Sequence, residues 1–102
     1  MPIDKHEIRF LRIAEEDFVE IISYIAPDNP KAAETIANKI EKNINLLSEN
    51  PELGRIPRDE DIKNLGYRYI VIQNYIVFYT IEERTIFIHR ILHSARDYIA
   101  IL

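Results

Sequence analysis

The sequence predicts an α+β domain. It is an antiparallel sheet, built of an N-terminal strand plus a three-stranded meander, with an αα-hairpin packed on one face and a short C-terminal helix. The order is β-α-α-β-β-β-α. Three observations carry this reading. From Gly66 onward, three runs rich in β-branched and aromatic residues are separated by Gln73-Asn74 and by Glu82-Glu83-Arg84, as strands joined by hairpins are. Upstream, two apolar stripes at helical spacing flank Asp28-Asn29-Pro30. Finally, the chain has 102 residues, room for one core and one domain spanning residues 1–102.

Taken in order, Glu7 to Ile13 is the first strand candidate. Ile8 and Phe10 share one face and Leu11 and Ile13 fall out of phase, which implies burial on both faces or a bulge. Glu15, Glu16 and Asp17 open the first helix, where carboxylates complement the positive end of the helix dipole. Phe18, Ile21, Ile22 and Ile25 form its stripe, and Pro27 stops it. Asn29 is the expected N-cap of the second helix, with Pro30 at its first position. That helix runs to about Glu49, with Ala33, Ile36, Ala37, Ile40, Ile44 and Leu47 at helical spacing. So short a connection makes the two helices an antiparallel hairpin. Glu52 to Leu65 reads as a surface connection with at most a helical turn. The meander follows, and Ser94 begins the last helix. With helices on one face, the other face of the sheet is expected to form a shallow groove.

Composition narrows the function classes. Cysteine is absent, which excludes disulfides, thiolate metal sites and cysteine nucleophiles. Two glycines leave no phosphate-cradling loop. The three histidines show no metal spacing, so no metal and no cofactor are expected. No apolar run approaches the ~20 residues needed to span a bilayer, and no signal-peptide order is present; a cytoplasmic protein is expected. The net charge of −4 argues against strong non-specific nucleic-acid binding, which cations supply.

Chemistry-bearing residues gather near the end of the meander. His93 is a candidate acid or base, or a histidine that packs and donates one hydrogen bond at a strand end. Ser94 and Asp97 match a capping box, which explains both without a nucleophilic serine. Arg68 and Arg90 sit in otherwise apolar strands and suit phosphate or carboxylate recognition; the alternative is an internal salt bridge, to Asp97 or Glu82. Tyr67, Tyr69, Tyr75, Tyr79 and Phe87 suggest either a base-stacking platform or cross-strand aromatic pairing.

Leu53-Gly54-Arg55, Leu65-Gly66-Tyr67-Arg68, Asn74-Tyr75-Ile76-Val77-Phe78-Tyr79 and Arg90-Ile91-Leu92-His93-Ser94-Ala95-Arg96-Asp97 together resemble toxins of the RelE/ParE superfamily, on the ParE branch. The resemblance implies a type II toxin–antitoxin module. The toxin is held inactive by a small cognate antitoxin, and target binding falls to Arg68, Arg90, His93, Arg96 and Asp97. ParE-branch toxins poison DNA gyrase by protein binding; RelE-branch toxins cleave messenger RNA on the ribosome. The ribonuclease branch usually has an arginine after the tyrosine of the third strand, where this chain has Ile76, and often another where it has Ser94. The resemblance therefore implies gyrase as target. A RelE-type endoribonuclease, with His93, Arg90 and Arg68 as its catalytic set, is the alternative, and an inactive toxin-fold binding module is a third. Open strand edges imply a homodimer or a toxin–antitoxin hetero-oligomer.

Overall fold

The computed structural model describes residues 5–94 and 101–102 of the chain. Strand β1 spans Glu7–Phe10 and helix α1 Arg12–Ile25. Helix α2 spans Pro30–Leu46, followed by a single 3-10 turn at Pro51–Leu53 and a short helix α3, Glu60–Asn64. The meander is β2 Arg68–Ile72, β3 Tyr75–Glu82 and β4 Thr85–His93. The order β-α-α-β-β-β is the expected one. The C-terminal helix expected from Ser94, with Arg96 and Asp97, lies outside the described residues.

The four strands form one sheet in the order β1-β4-β3-β2. It is mixed rather than wholly antiparallel, because β1 runs parallel to β4, from Glu7↔Thr85 to Phe10↔Ile88. The reason lies in how little separates β1 from α1. Only Leu11 intervenes, its N–H on the Ile88 carbonyl at 2.9 Å, so strand and helix ascend together. Helix α2 then descends, returning the chain to the start of β1, where the His6 N–H meets the Ser48 carbonyl at 2.8 Å. The meander sets out from that same end, and its third strand shares the direction of β1. This also explains the phase switch at Leu11 and Ile13: Ile13 is already helical.

Helix α2 begins as its sequence dictates. The Asn29 side chain accepts from the Ala32 N–H at 3.1 Å, satisfying one of the donors a helix start leaves open. Both meander turns are two residues long, and Gln73 and Glu83 occupy the left-handed region at φ 53° and 55°.

The main core lies between the hairpin and one sheet face. Ala14, Ile36, Ile40, Ile44 and Leu47 meet Ile72, Val77, Tyr79, Ile86, Ile88 and Ile91. The opposite face is not an open groove along its whole length. Phe78 and Leu92 are buried outside that core, and Tyr67 and Tyr69 lie against Phe78 with ring centroids 6.5 and 5.9 Å away. Tyr69 and Phe78 are cross-strand partners, so these rings pair with one another.

Candidate functional site: the far end of β4

A bulge organises this end of the sheet. Phe78 pairs with Arg90 and Tyr79 with Ile88, leaving His89 as the extra residue. An inserted residue re-aims the side chains after it. Here Ile88 and Ile91 both join the core, and Arg90 between them reaches α1.

Arg90 makes a two-pronged contact with Asp17. Its Nε donates to Oδ2 at 2.7 Å and its Nη2 to Oδ1 at 2.9 Å. The Ile91 N–H donates to Oδ2 as well, at 3.0 Å. The two side chains are only 15% and 10% exposed, so the pair is largely withdrawn from water. The hydrogen bonds to Asp17 hold the guanidinium pKa above its ordinary value, against the opposing effect of burial. The internal salt bridge foreseen as the alternative for Arg90 is thus real, but its partner is Asp17, not Asp97 or Glu82.

Arg68 is half-buried and engaged with the segment that precedes β2. Its Nη1 donates to the Gly54 carbonyl at 3.1 Å and lies 3.4 Å from that of Glu52. The buried Tyr79 hydroxyl works on the same segment, accepting from the Gly54 N–H at 2.8 Å and donating to the Pro51 carbonyl at 2.7 Å. Arg55 and Tyr69 exchange both backbone hydrogen bonds, at 2.8 and 3.0 Å. Gly54 has to be glycine, since a Cβ there would sit 2.5 Å from the Tyr79 hydroxyl and 2.9 Å from the Tyr69 carbonyl. The Leu53-Gly54-Arg55 motif is therefore a strap fastened across the end of β2. Burial raises the Tyr79 pKa, with the Gly54 hydrogen bond opposing.

His93 is exposed and edge-on to its cross-strand partner Tyr75, centroids 5.6 Å apart. Beside them lies a hollow of about 420 Å³, walled by Ile21, Tyr24, Tyr75 and Ile91, with Asp17 and Glu20 on its α1 side. Tyr24 is 85% exposed. Of the five residues assigned to target binding, His93 alone both borders this hollow and is exposed. Arg90 is largely withdrawn from water, Arg68 is half-buried against the Gly54 segment, and Arg96 and Asp97 lie outside the described residues.

Two residues that bear on this region were not singled out from the sequence. Asp17 counted only as a helix-dipole partner; its signal was its place at i+3 from Ala14 and i−4 from Ile21, within the apolar stripe. His89 sits on the far face between two hydroxyls, Nδ1 3.2 Å from Tyr67 Oη and Nε2 2.8 Å from Thr80 Oγ1. Burial lowers its pKa, Glu82 opposing, and raises that of Tyr67. Its signal was a lone histidine in an apolar strand. Among the described residues no group of three or more His, Asp or Glu is placed to hold a metal ion, and no helix is long and apolar enough to cross a membrane.

The comparisons with known proteins agree with this architecture. A family profile described as "ParE toxin of type II toxin-antitoxin system, parDE" matches residues 8–98. Among solved structures, the chain is similar to one from the chromosomal ParDE toxin–antitoxin system of P. aeruginosa. The TM-score is 0.73 at 18% identity, over 88% of this chain and 97% of that one. It is also similar to a chain of the RelBE2 toxin–antitoxin complex of Mycobacterium tuberculosis. There the TM-score is 0.62 at 22% identity, over 93% of this chain and 98% of that one. No curated protein sequence matches at a significant level. At these identities the structural likeness shows the fold. The profile match, covering nearly all of the chain, shows the family: the chain belongs to the ParE toxins of type II toxin–antitoxin systems.

Proposed function

We propose that this protein is the toxin of an antitoxin-controlled pair and acts by binding DNA gyrase, without making or breaking a bond itself. The single observation that carries this reading is that Arg68 and Arg90 are both engaged within the fold, Arg68 by the Gly54 carbonyl and Arg90 by Asp17. A ribonuclease has to oppose the charge developing on phosphate, and a lost cation costs a few kcal/mol of transition-state stabilisation. Here one arginine holds the strap and the other is neutralised by Asp17, while the exposed surface beside His93 carries Glu20 and aromatic rings. Such a surface suits a protein partner better than an RNA backbone. Membership of the ParE family supports gyrase as the target, and the toxin–antitoxin systems of the similar structures support a cognate antitoxin. A cytoplasmic protein accords with that reading.

The test is growth on expression with and without the neighbouring reading frame, followed by two assays. Purified toxin added to gyrase and supercoiled plasmid is expected to accumulate linear DNA. Codon-positioned cuts in transcripts mapped after induction, with no linear plasmid, would overturn the proposal in favour of a ribonuclease. A chain that arrests nothing would be a binding module only.

A further inference from the structure

We propose that the outer edge of β1 pairs with the same edge of a second copy of this chain, antiparallel and with Ile8 on the two-fold axis. The sheet then runs on through both subunits, and the pairing does not depend on what the toxin acts on.

The backbone makes the first argument. The Glu7 N–H reaches the Arg84 carbonyl at 2.9 Å and the Leu11 N–H that of Ile88, also at 2.9 Å. Residues 7, 9 and 11 therefore turn their backbone groups toward β4, because a strand residue's N–H and C=O lie on one side and the side alternates with period two. Those of Ile8 and Phe10 face outward. His6 fits this parity, its N–H turning away from β4 to the Ser48 carbonyl. Among the described residues, neither Ile8 nor Phe10 has a hydrogen-bond partner on that outer side, and β1 is the last strand of the sheet there. The other outer strand differs. In β2 both backbone groups of Tyr69 are taken by Arg55, so that edge is already fastened by the strap.

The side chains choose the occupant and the register. Charges on an edge strand ordinarily keep other strands away. On β1 they are Glu7 and Arg9, both exposed and paired at 3.1 Å, while Ile8 and Phe10 turn to the core. With Ile8 on the axis, Glu7 stands directly opposite Arg9 of the second copy, and Arg9 opposite its Glu7. Opposite charges at facing positions favour pairing and like charges oppose it. A shift by two residues would set Arg9 against Arg9 or Glu7 against Glu7, so the pattern selects one alignment. Such a self-complementary patch is what a two-fold interface requires. The two Ile8 residues then exchange both backbone hydrogen bonds, and each Phe10 N–H meets the His6 carbonyl across the axis. Beside Phe10 lies a hollow of about 410 Å³, lined by Phe18, exposed Val19, Glu15 and Glu41. In this register Lys5 of the second copy falls opposite Leu11, next to that hollow, where Glu15 and Glu41 supply the opposite charge.

The experiment measures self-association of the purified toxin by sedimentation velocity over a dilution series. It compares wild type with Glu7→Arg, Arg9→Glu, both changes in one chain, and Val71→Glu at the opposite edge of the sheet. Wild type is expected to dimerise. Each single charge change should raise the dimer Kd at least tenfold, by setting like charges opposite one another. Both changes in one chain should bring Kd back within threefold of wild type. An equimolar mixture of the two single variants should associate as well as the double variant does, although neither associates alone. A role for the Glu7–Arg9 pair within one strand would not produce that rescue. Val71→Glu should move Kd less than twofold. In wild type, the Ile8 and Phe10 amides should exchange more slowly as concentration rises, whereas the Arg9 amide, turned toward β4, should not change relative to global unfolding. Wild type that stays monomeric at every concentration reached, or dimers indifferent to both single changes, would overturn the proposal. Dimers lost on Val71→Glu would assign the contact to β2 and overturn it too. So would Ile8 and Phe10 amides protected by added antitoxin and not by concentration, which would give the edge to the antitoxin.

Discussion

The two halves of β4 are held by different physics. From Thr85 to Ile88 the strand lies between β1 and β3, with Ile86 and Ile88 fully buried. Its stability there is a sum of many backbone hydrogen bonds and apolar contacts, none decisive. From His89 to His93 no strand among the described residues covers the β1 side. A single carboxylate from α1 stands in for one, accepting from the backbone of Ile91 and from the guanidinium of Arg90. A distributed arrangement tolerates the loss of one member; a carboxylate that serves three donors does not.

The largest effect should therefore come from Asp17. Removing one partner of a buried pair strands the other charge, at a cost of ~3–5 kcal/mol, and here a backbone donor is stranded as well. Asp17→Ala is expected to lose about that much stability in urea unfolding. Its Ile91 amide should exchange far faster while the Ile88 amide keeps its protection relative to global unfolding. Replacing both charges, as Asp17→Leu with Arg90→Met, should recover most of the loss, because apolar groups of similar size can substitute for a buried ion pair. A residue of ~1–3 kcal/mol should remain, the cost of the unpaired Ile91 N–H. Full recovery would mean that the Ile91 contact adds nothing.

That contact marks the boundary of what could be read from the sequence. The hairpin turns, the Asn29 cap and the core stripe of α2 were legible because each is a local pattern. The direction of β1 was not, since it depends on Leu11 being the whole connection to α1. The Asp17–Arg90 pair joins residues 73 positions apart, and no local rule selects among distant acids. What the sequence did hold was a pair of anomalies: an acid in the apolar stripe of α1 and an arginine in an apolar strand, each requiring an opposite charge. The site was legible only as a neighbourhood. Arg90 was open to either a target or an internal ion pair, and it pairs with Asp17, while Arg68 ties the Gly54 segment to the start of β2.

A moderate effect should follow pH. His89 is the bulged residue at which the two halves meet, and burial lowers its pKa below the ordinary value of 6.5. The unfolded chain then binds the proton more readily than the folded one, so stability is complete above the unfolded value and declines as pH falls through it. Urea midpoints measured from pH 7.5 down to 5.5 should fall in the wild type and stay flatter in His89→Gln, after allowance for the constant loss that variant carries. A midpoint equally pH-dependent in both would show that the bulge is not where the proton acts.

The smallest effect tests the first half of β4 at the turn that feeds it. Glu83 adopts φ 55°, a region an L side chain enters at a cost of roughly 1–2 kcal/mol and glycine enters freely. Glycine also widens the freedom of the unfolded chain, which offsets part of the gain. Glu83→Gly should accordingly raise stability by about 0.5–1 kcal/mol, read as a shift in urea midpoint at constant slope. Because β3 and the first half of β4 are already paired along their length, the gain should leave the exchange of the Ile91 amide unchanged relative to global unfolding. Gln73→Gly, at φ 53° in the other hairpin, relieves the same strain where β2 meets β3 and should give a similar gain. If Glu83→Gly also slowed local opening at Ile91, the two halves of β4 would be one cooperative unit, and the carboxylate of Asp17 would be reinforcing a ladder rather than replacing it.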